Sequence, residues 1–219
     1  MKLLFCLLIH ELGHLVFIFL FRYKIKELRL SVFGFFLSLD HTREVFIKDL
    51  FIYSGGILLN LICFLFIPDE TIKKMSLILI CFNSLPVYPL DGFNIGKTLI
   101  SYCIPYRLAL NCISIISMIC GAGIFLYTLF MKLDLFILLN AGYLFILSII
   151  YYFKKDILYQ KFLLEKNIYP YSYPIKTISF RDSLSKSLYK YHTIQMKIGN
   201  KIISQEELIQ TKAFSMTKK

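Results

Sequence analysis

The residues best suited to chemistry are His10-Glu11-Leu12-Gly13-His14, an H-E-x-x-H pattern inside an apolar run. On an α-helix, positions i and i+4 share a face, so both imidazoles can reach one metal ion. Glu11 projects beside them, placed to take a proton from a water on that ion. A catalytic zinc needs three protein ligands and one open position, so one ligand is still to be found. Asp91 is the candidate. No other carboxylate stands between Glu70 and Asp134, and Asp91 closes Asn83-Ser-Leu-Pro-Val-Tyr-Pro-Leu-Asp-Gly92, a stretch that interrupts an apolar segment. The expected centre is one zinc ion on His10, His14 and Asp91, with Glu11 as catalytic acid–base. Zinc brings the pKa of a bound water down to about 7, so hydroxide is available at neutral pH.

Around this centre, Asn83 and Asn94 are read as hydrogen-bonding groups for a substrate, with interhelical glue as the competing role. Lys97 either snorkels to the membrane edge or counters the site's charge, and snorkelling is preferred. His41 and His192 are read as surface histidines outside the cluster. Asn60, Asn111 and Asn140 are assigned to holding helices together. The six cysteines lie in apolar runs without a C-x-x-C pair and are read as small buried hydrophobes.

The elements that must position these groups are membrane helices. Hydrophobic residues make up 57% of the 219, above the ~45–50% usual for soluble domains. Five segments are predicted: Leu3 to Phe21, Phe46 to Ile67, Ile72 to Cys103, Arg107 to Met131 and Leu133 to Phe153. Each is taken as long enough for a hydrocarbon core of ~30 Å. The third is broken by Pro86, Pro89 and Gly92. Irregular backbone at that depth survives only when buried in protein or lining a polar cavity, so this break is expected to be a functional loop. His10 lies roughly 14 Å from the chain start at 1.5 Å per residue, near mid-bilayer. An ionisable group there costs about 2.5–3.5 kcal/mol, so three grouped together imply a bound partner. Residues Ile25 to Leu39, rich in β-branched and aromatic types, are expected to form a short hairpin or membrane-edge loop.

Net charge is +11, and the tail from Lys154 to Lys219 carries 13 basic against 5 acidic residues. That balance suits a cytoplasmic location near anionic headgroups. Nucleic-acid binding is set aside because no recognition motif accompanies the charge. Six Lys or Arg lie between Arg22 and Lys48. Placing them inside puts Met1 outside, so the first helix inserts with its N-terminus translocated or a further span precedes it. The first apolar run is not read as a cleavable signal, since it holds the motif. The expected fold is an all-α polytopic membrane protein of about five spans. Residues 1–153 form the membrane domain and 154–219 a small basic α+β domain in the cytoplasm.

His10-Glu-Leu-Gly-His14 followed by Asn83-x-x-Pro86-x-x-Pro89-Leu-Asp91-Gly92 resembles the site-2 protease family of intramembrane zinc metalloproteases. The resemblance implies zinc on His10, His14 and Asp91, Glu11 as the catalytic group, and substrate contacts at Asn83, Pro86 and Asn94. It also implies cleavage of a membrane-associated protein within or at the edge of the bilayer. The tail, with Lys161-Phe-Leu-Leu-Glu165, Phe180-Arg-Asp-Ser-Leu184 and Ile202-Ile-Ser-Gln-Glu-Glu-Leu208, resembles that of the sporulation branch that processes pro-sigma-K. In that branch the tail is similar to a reduced cystathionine-β-synthase (CBS) domain. This implies a pro-sigma factor as substrate, inhibitory membrane proteins as partners and a nucleotide at the tail. Relatives usually carry a second glycine where Phe93 stands, so Phe93 is expected to narrow the cavity or alter specificity, with the ligand Asp91 retained. The alternatives weighed are an inactive scaffold of the same fold, a metal transporter, and a protease acting on lipidated C-termini. The four converging groups disfavour the first two, and Asp rather than Glu or His as third ligand disfavours the last.

Overall fold

The computed structural model describes residues 1–23, 25–31, 34–39, 45–168, 175–179, 188–198 and 201–203. The chain begins with helix α1 (Lys2–Leu20), followed by strands β1 (Ile25–Ser31) and β2 (Gly34–Leu39), which pair antiparallel. Helices α2 (Phe46–Phe66), α3 (Glu70–Asn83), α4 (Asp91–Cys103), α5 (Tyr106–Phe130) and α6 (Leu135–Ile168) complete the membrane part. In the tail, β3 (Ile175–Ser179) runs parallel to β4 (Thr193–Ile198), which pairs antiparallel with β5 (Lys201–Ile203). Most of the residues behind the CBS-like reading, and His41, lie outside the described residues.

Helices α1, α2, α5 and α6 are each long and apolar enough to cross a membrane. Their outer faces carry large exposed apolar side chains, such as Leu8, Leu12 and Phe19 on α1 and Leu65 and Phe66 on α2. Apolar surface on that scale is tolerable only against lipid or another protein. The segment from Ile72 to Cys103 is not one continuous span. It divides into α3 and α4, of 14 and 13 residues, each about 20 Å long and too short alone for a core of about 30 Å.

Sequence punctuation sets these boundaries. Asp69 caps α3 by accepting from the Thr71 and Ile72 N–H groups, and Lys2 reaches Asp69 at 2.7 Å, tying the chain start to this turn. Pro68 follows the end of α2, and Pro105 immediately precedes α5, where a missing N–H costs nothing. Pro86 and Pro89 keep the loop between α3 and α4 from continuing as helix. α6 passes Phe153 without a break and runs 34 residues to Ile168.

Two close approaches organise the bundle. A Cβ on Gly13 would collide with the Gly55 carbonyl, and one on Gly55 with the Gly13 carbonyl, so glycine at both positions lets α1 and α2 touch backbone to backbone. On the other side, the Tyr88 N–H donates to Ser117 Oγ at 2.9 Å, Ser117 to Ser148 Oγ at 2.9 Å, and Ser148 to the Leu144 carbonyl. This buried chain fastens the α3–α4 loop to α5 and α6. The tail segment around Leu188–Tyr191 is buried against the membrane part: the Tyr106 N–H donates to the Leu188 carbonyl, and Tyr191 and Tyr23 both donate to the buried Asp49 carboxylate at 2.9 Å.

Candidate metal centre

His10 and His14 lie one turn apart on α1, both facing α2, because the Gly13–Gly55 contact turns that face inward. Asp91 is the first residue of α4, where the helix's positive end favours a carboxylate. Gly92 is needed beside it, since a Cβ there would run into the Ser84 and Leu85 carbonyls of the loop folding back over the helix start. The loop therefore returns Asp91 to α1.

The three candidate ligand atoms converge. Asp91 Oδ2 lies 3.0 Å from His10 Nε2 and 3.2 Å from His14 Nε2, and the two Nε2 atoms are 3.4 Å apart. Ligands held about 2.0–2.1 Å from a tetrahedral zinc are separated by edges of about 3.3 Å, so the triangle has the size of one face of a zinc site. Among the described residues this is the cluster of His, Cys, Asp or Glu whose atoms could share an ion.

The surroundings fix which atoms face the centre. His14 Nδ1 lies 2.7 Å from the Ile52 carbonyl. A carbonyl only accepts, so Nδ1 holds the proton and Nε2 presents its lone pair. Asp91 Oδ2 is buried without a hydrogen-bond donor. Lone pairs converging on one point repel unless a cation lies between them, so the donor set fits a divalent metal. Gly56 leaves the space: a Cβ there would stand 2.5–2.6 Å from His10 Cε1, His10 Nε2 and His14 Nε2. Glu11 is buried beside the histidines on the same helix.

Asn60 belongs to this centre too, although its sequence context suggests only interhelical glue. It is fully buried, with its amide nitrogen 3.1 Å from His10 Nδ1 and its Oδ1 lacking a partner. When His10 Nε2 faces a metal, Nδ1 carries the proton and must donate. The other amide orientation puts Oδ1 in that position, where it accepts from the Nδ1–H. Asn60 and the Ile52 carbonyl thus hold the two imidazoles from behind. The signal missed in sequence is Gly56-x-x-x-Asn60, one turn of α2 placing an open position and an amide on the same face.

The other expected site residues fall nearby with different partners. Asn83 donates to the Leu79 carbonyl of its own helix, and Pro86 sits half-buried in the loop. Asn94 Oδ1 accepts from Lys97 Nζ at 3.1 Å, which draws Lys97 over the Tyr53 and Phe93 rings rather than away along the surface. Phe93 does not narrow the centre. Two residues beyond Asp91 it points the opposite way, fully buried between Tyr88 and Tyr151. Asn140 bonds its own helix at the Phe136 carbonyl, whereas Asn111 takes Lys155 from α6. His192 packs on Tyr102 and Tyr189, far along the chain from the centre. Of the cysteines, Cys6 and Cys63 are buried, while Cys81, Cys103 and Cys112 are exposed on helix surfaces, and all six are free thiols.

No family model matches the chain, and no curated protein matches it by sequence. Its fold is similar to that of a solved structure, the site-2 protease from Methanocaldococcus jannaschii, with a TM-score of 0.54 and 20% identity. The likeness covers 69% of this chain and 76% of the archaeal one. At that identity the similarity shows a shared fold.

Proposed function

We propose that this chain is an intramembrane zinc metalloendopeptidase of the site-2 protease type. The observation that carries the reading is the convergence of His10 Nε2, His14 Nε2 and Asp91 Oδ2 within one zinc-sized triangle, beside a buried Glu11. His10, His14 and Asp91 would hold the ion, which would lower the pKa of a water so that hydroxide is available to attack a peptide carbonyl. Glu11 would act as the general acid–base, taking up a proton from the attacking water and delivering it to the leaving amine. Asn60 and the Ile52 carbonyl keep the imidazoles in the ligating tautomer. The broken α3–α4 segment admits water and substrate backbone where continuous helices would exclude them. Asn83, Pro86 and Asn94, at this break, are the proposed substrate contacts.

The substrate class is a membrane-associated protein, and the motifs of the tail favour a sporulation sigma-factor precursor or a similar tethered regulator. The basic tail is proposed to lie in the cytoplasm as a reduced CBS-like unit able to take a nucleotide, with inhibitory membrane proteins as further partners. The four ionisable groups meet at one depth rather than along a path, which supports hydrolysis over metal transport. The reading is tested by expressing wild type and Glu11→Gln beside an epitope-tagged pro-sigma factor. Wild type should shorten the tagged protein and Glu11→Gln should leave it whole; cleavage that continues undiminished in Glu11→Gln, His14→Ala and Asp91→Ala would exclude this centre.

A further inference from the structure

A second polar site lies well away from the metal centre, between the start of α5 and the far end of the membrane part of α6. It is a cavity of about 370 Å³ lined by Arg107, Leu110, Asn111, Lys155, Asp156 and Tyr159. Arg107 and Lys155 come from helices that meet as an antiparallel pair. Lys155 is twenty residues into a helix starting at Leu135 (155 − 135), about 30 Å along it, which is one hydrocarbon thickness. Arg107 is the second residue of α5. Both cations therefore lie in the plane where lipid headgroups begin.

Both cations have defined partners, although the Arg107 side chain is 54% exposed. Lys155 Nζ donates to Asn111 Oδ1 at 2.5 Å and sits 3.6 Å from the centre of the Tyr152 ring. Arg107 lies over the Tyr159 ring at 5.7 Å, with Asp156 3.9 Å from its guanidinium. The buried side chains of Leu110 and Tyr159 form an apolar floor. Two cations and one carboxylate leave the cavity at +1, the complement of a phosphodiester. An apolar floor of Leu110 and Tyr159 suits the glycerol and first methylenes of an acyl chain.

We propose that this cavity binds the phosphodiester headgroup of an anionic glycerophospholipid, such as phosphatidylglycerol, and so couples α5 to α6 at the membrane surface. The proposal rests on the chain being a membrane protein and not on the metal centre. Each cation at headgroup level contributes about fivefold to anionic-lipid binding, so removing both weakens it about thirtyfold.

The test is native mass spectrometry of the full chain in detergent with phosphatidylglycerol or phosphatidylcholine added. Wild type and Lys74→Gln should retain phosphatidylglycerol in preference to phosphatidylcholine. Arg107→Gln combined with Lys155→Gln should lose that retention by about thirtyfold, whereas Arg107→Lys with Lys155→Arg should keep it. Equal retention by the charge-removing pair and wild type overturns the proposal, as does displacement of the lipid by millimolar inorganic phosphate, which would mark a free-anion site. Should the charge-removing pair lose its helical circular dichroism, photo-crosslinkable phosphatidylglycerol on wild type decides: label at positions 107–111 and 152–159 supports the site, and label elsewhere overturns it.

Discussion

Replacing Gly56 with alanine puts a methyl group where the two histidines need room. Its Cβ would stand 2.5 Å from His10 Cε1 and 2.6 Å from both His10 Nε2 and His14 Nε2. Nonbonded heavy atoms settle at about 3.5 Å or more, so the imidazoles must retreat by about 1 Å. Metal–ligand distances tolerate shifts of about 0.2 Å, so two of three ligands would leave the ion. Losing a group that merely supports a ligand costs about 10–100-fold in metal affinity, and displacing the ligands themselves should cost on the order of 100-fold or more. The overpacking itself should destabilise the fold by about 1–3 kcal/mol. Gly123→Ala is the matched control, because nothing lies within 4 Å of a Cβ built there. Zinc affinity is measured by competition with a chromophoric chelator, with thermal unfolding recorded in the same detergent. Wild-type zinc affinity in a folded Gly56→Ala protein would refute the placement of the ion between the histidines and α2.

Three further outcomes follow from single contacts. Asn60→Leu should lower zinc affinity by about 10–100-fold, and Asn60→Asp should restore much of it by accepting from His10 Nδ1, as chelator competition would show; no change in Asn60→Leu would remove Asn60 from the centre. Ser117→Ala leaves the Tyr88 N–H without its acceptor and should cost about 1–3 kcal/mol, read as a lower thermal midpoint with the α3–α4 loop more open to proteolysis. At the α2–α3 turn, the hydrogen bond from Lys2, helped by the Ile72 and Thr71 N–H groups, holds the Asp69 carboxyl below its ordinary value of 3.8. That contact stabilises the turn above the ordinary value and is lost as pH falls through the lower one. An NMR titration should show it, with the carboxyl moving back up in Lys2→Met and unchanged behaviour counting against the pairing.

That His10, His14 and Asp91 could be brought together was legible because their placement follows local rules. Two histidines four positions apart share a helix face, and proline with glycine marks the break that carries Asp91. Gly56 and Asn60 were not legible in the same way. They lie on α2, whose apolar residues surround the helix, so no periodicity says which side meets α1. The deciding fact is the Gly13–Gly55 contact, a tertiary pairing that neither glycine announces alone. Phe93 was expected to narrow the cavity or alter specificity because it stands where relatives usually carry a second glycine. Helical geometry instead turns it toward Tyr88 and Tyr151. Asp49, in the first turn of α2, carries no local signal of its structural role. Its role as joint acceptor for Tyr23 and Tyr191 depends on residues 26 and 142 positions away.

The central claim, that His10, His14 and Asp91 hold one zinc ion for Glu11 to work beside, is tested most directly by metal analysis. Zinc content should be measured for detergent-purified wild type, Glu11→Gln and Asp91→Ala, each shown to be folded by circular dichroism. Near-stoichiometric zinc in wild type and Glu11→Gln, with a marked loss in Asp91→Ala, is the predicted result. Folded wild-type protein that takes up no zinc, or Asp91→Ala that retains it fully, would contradict the account.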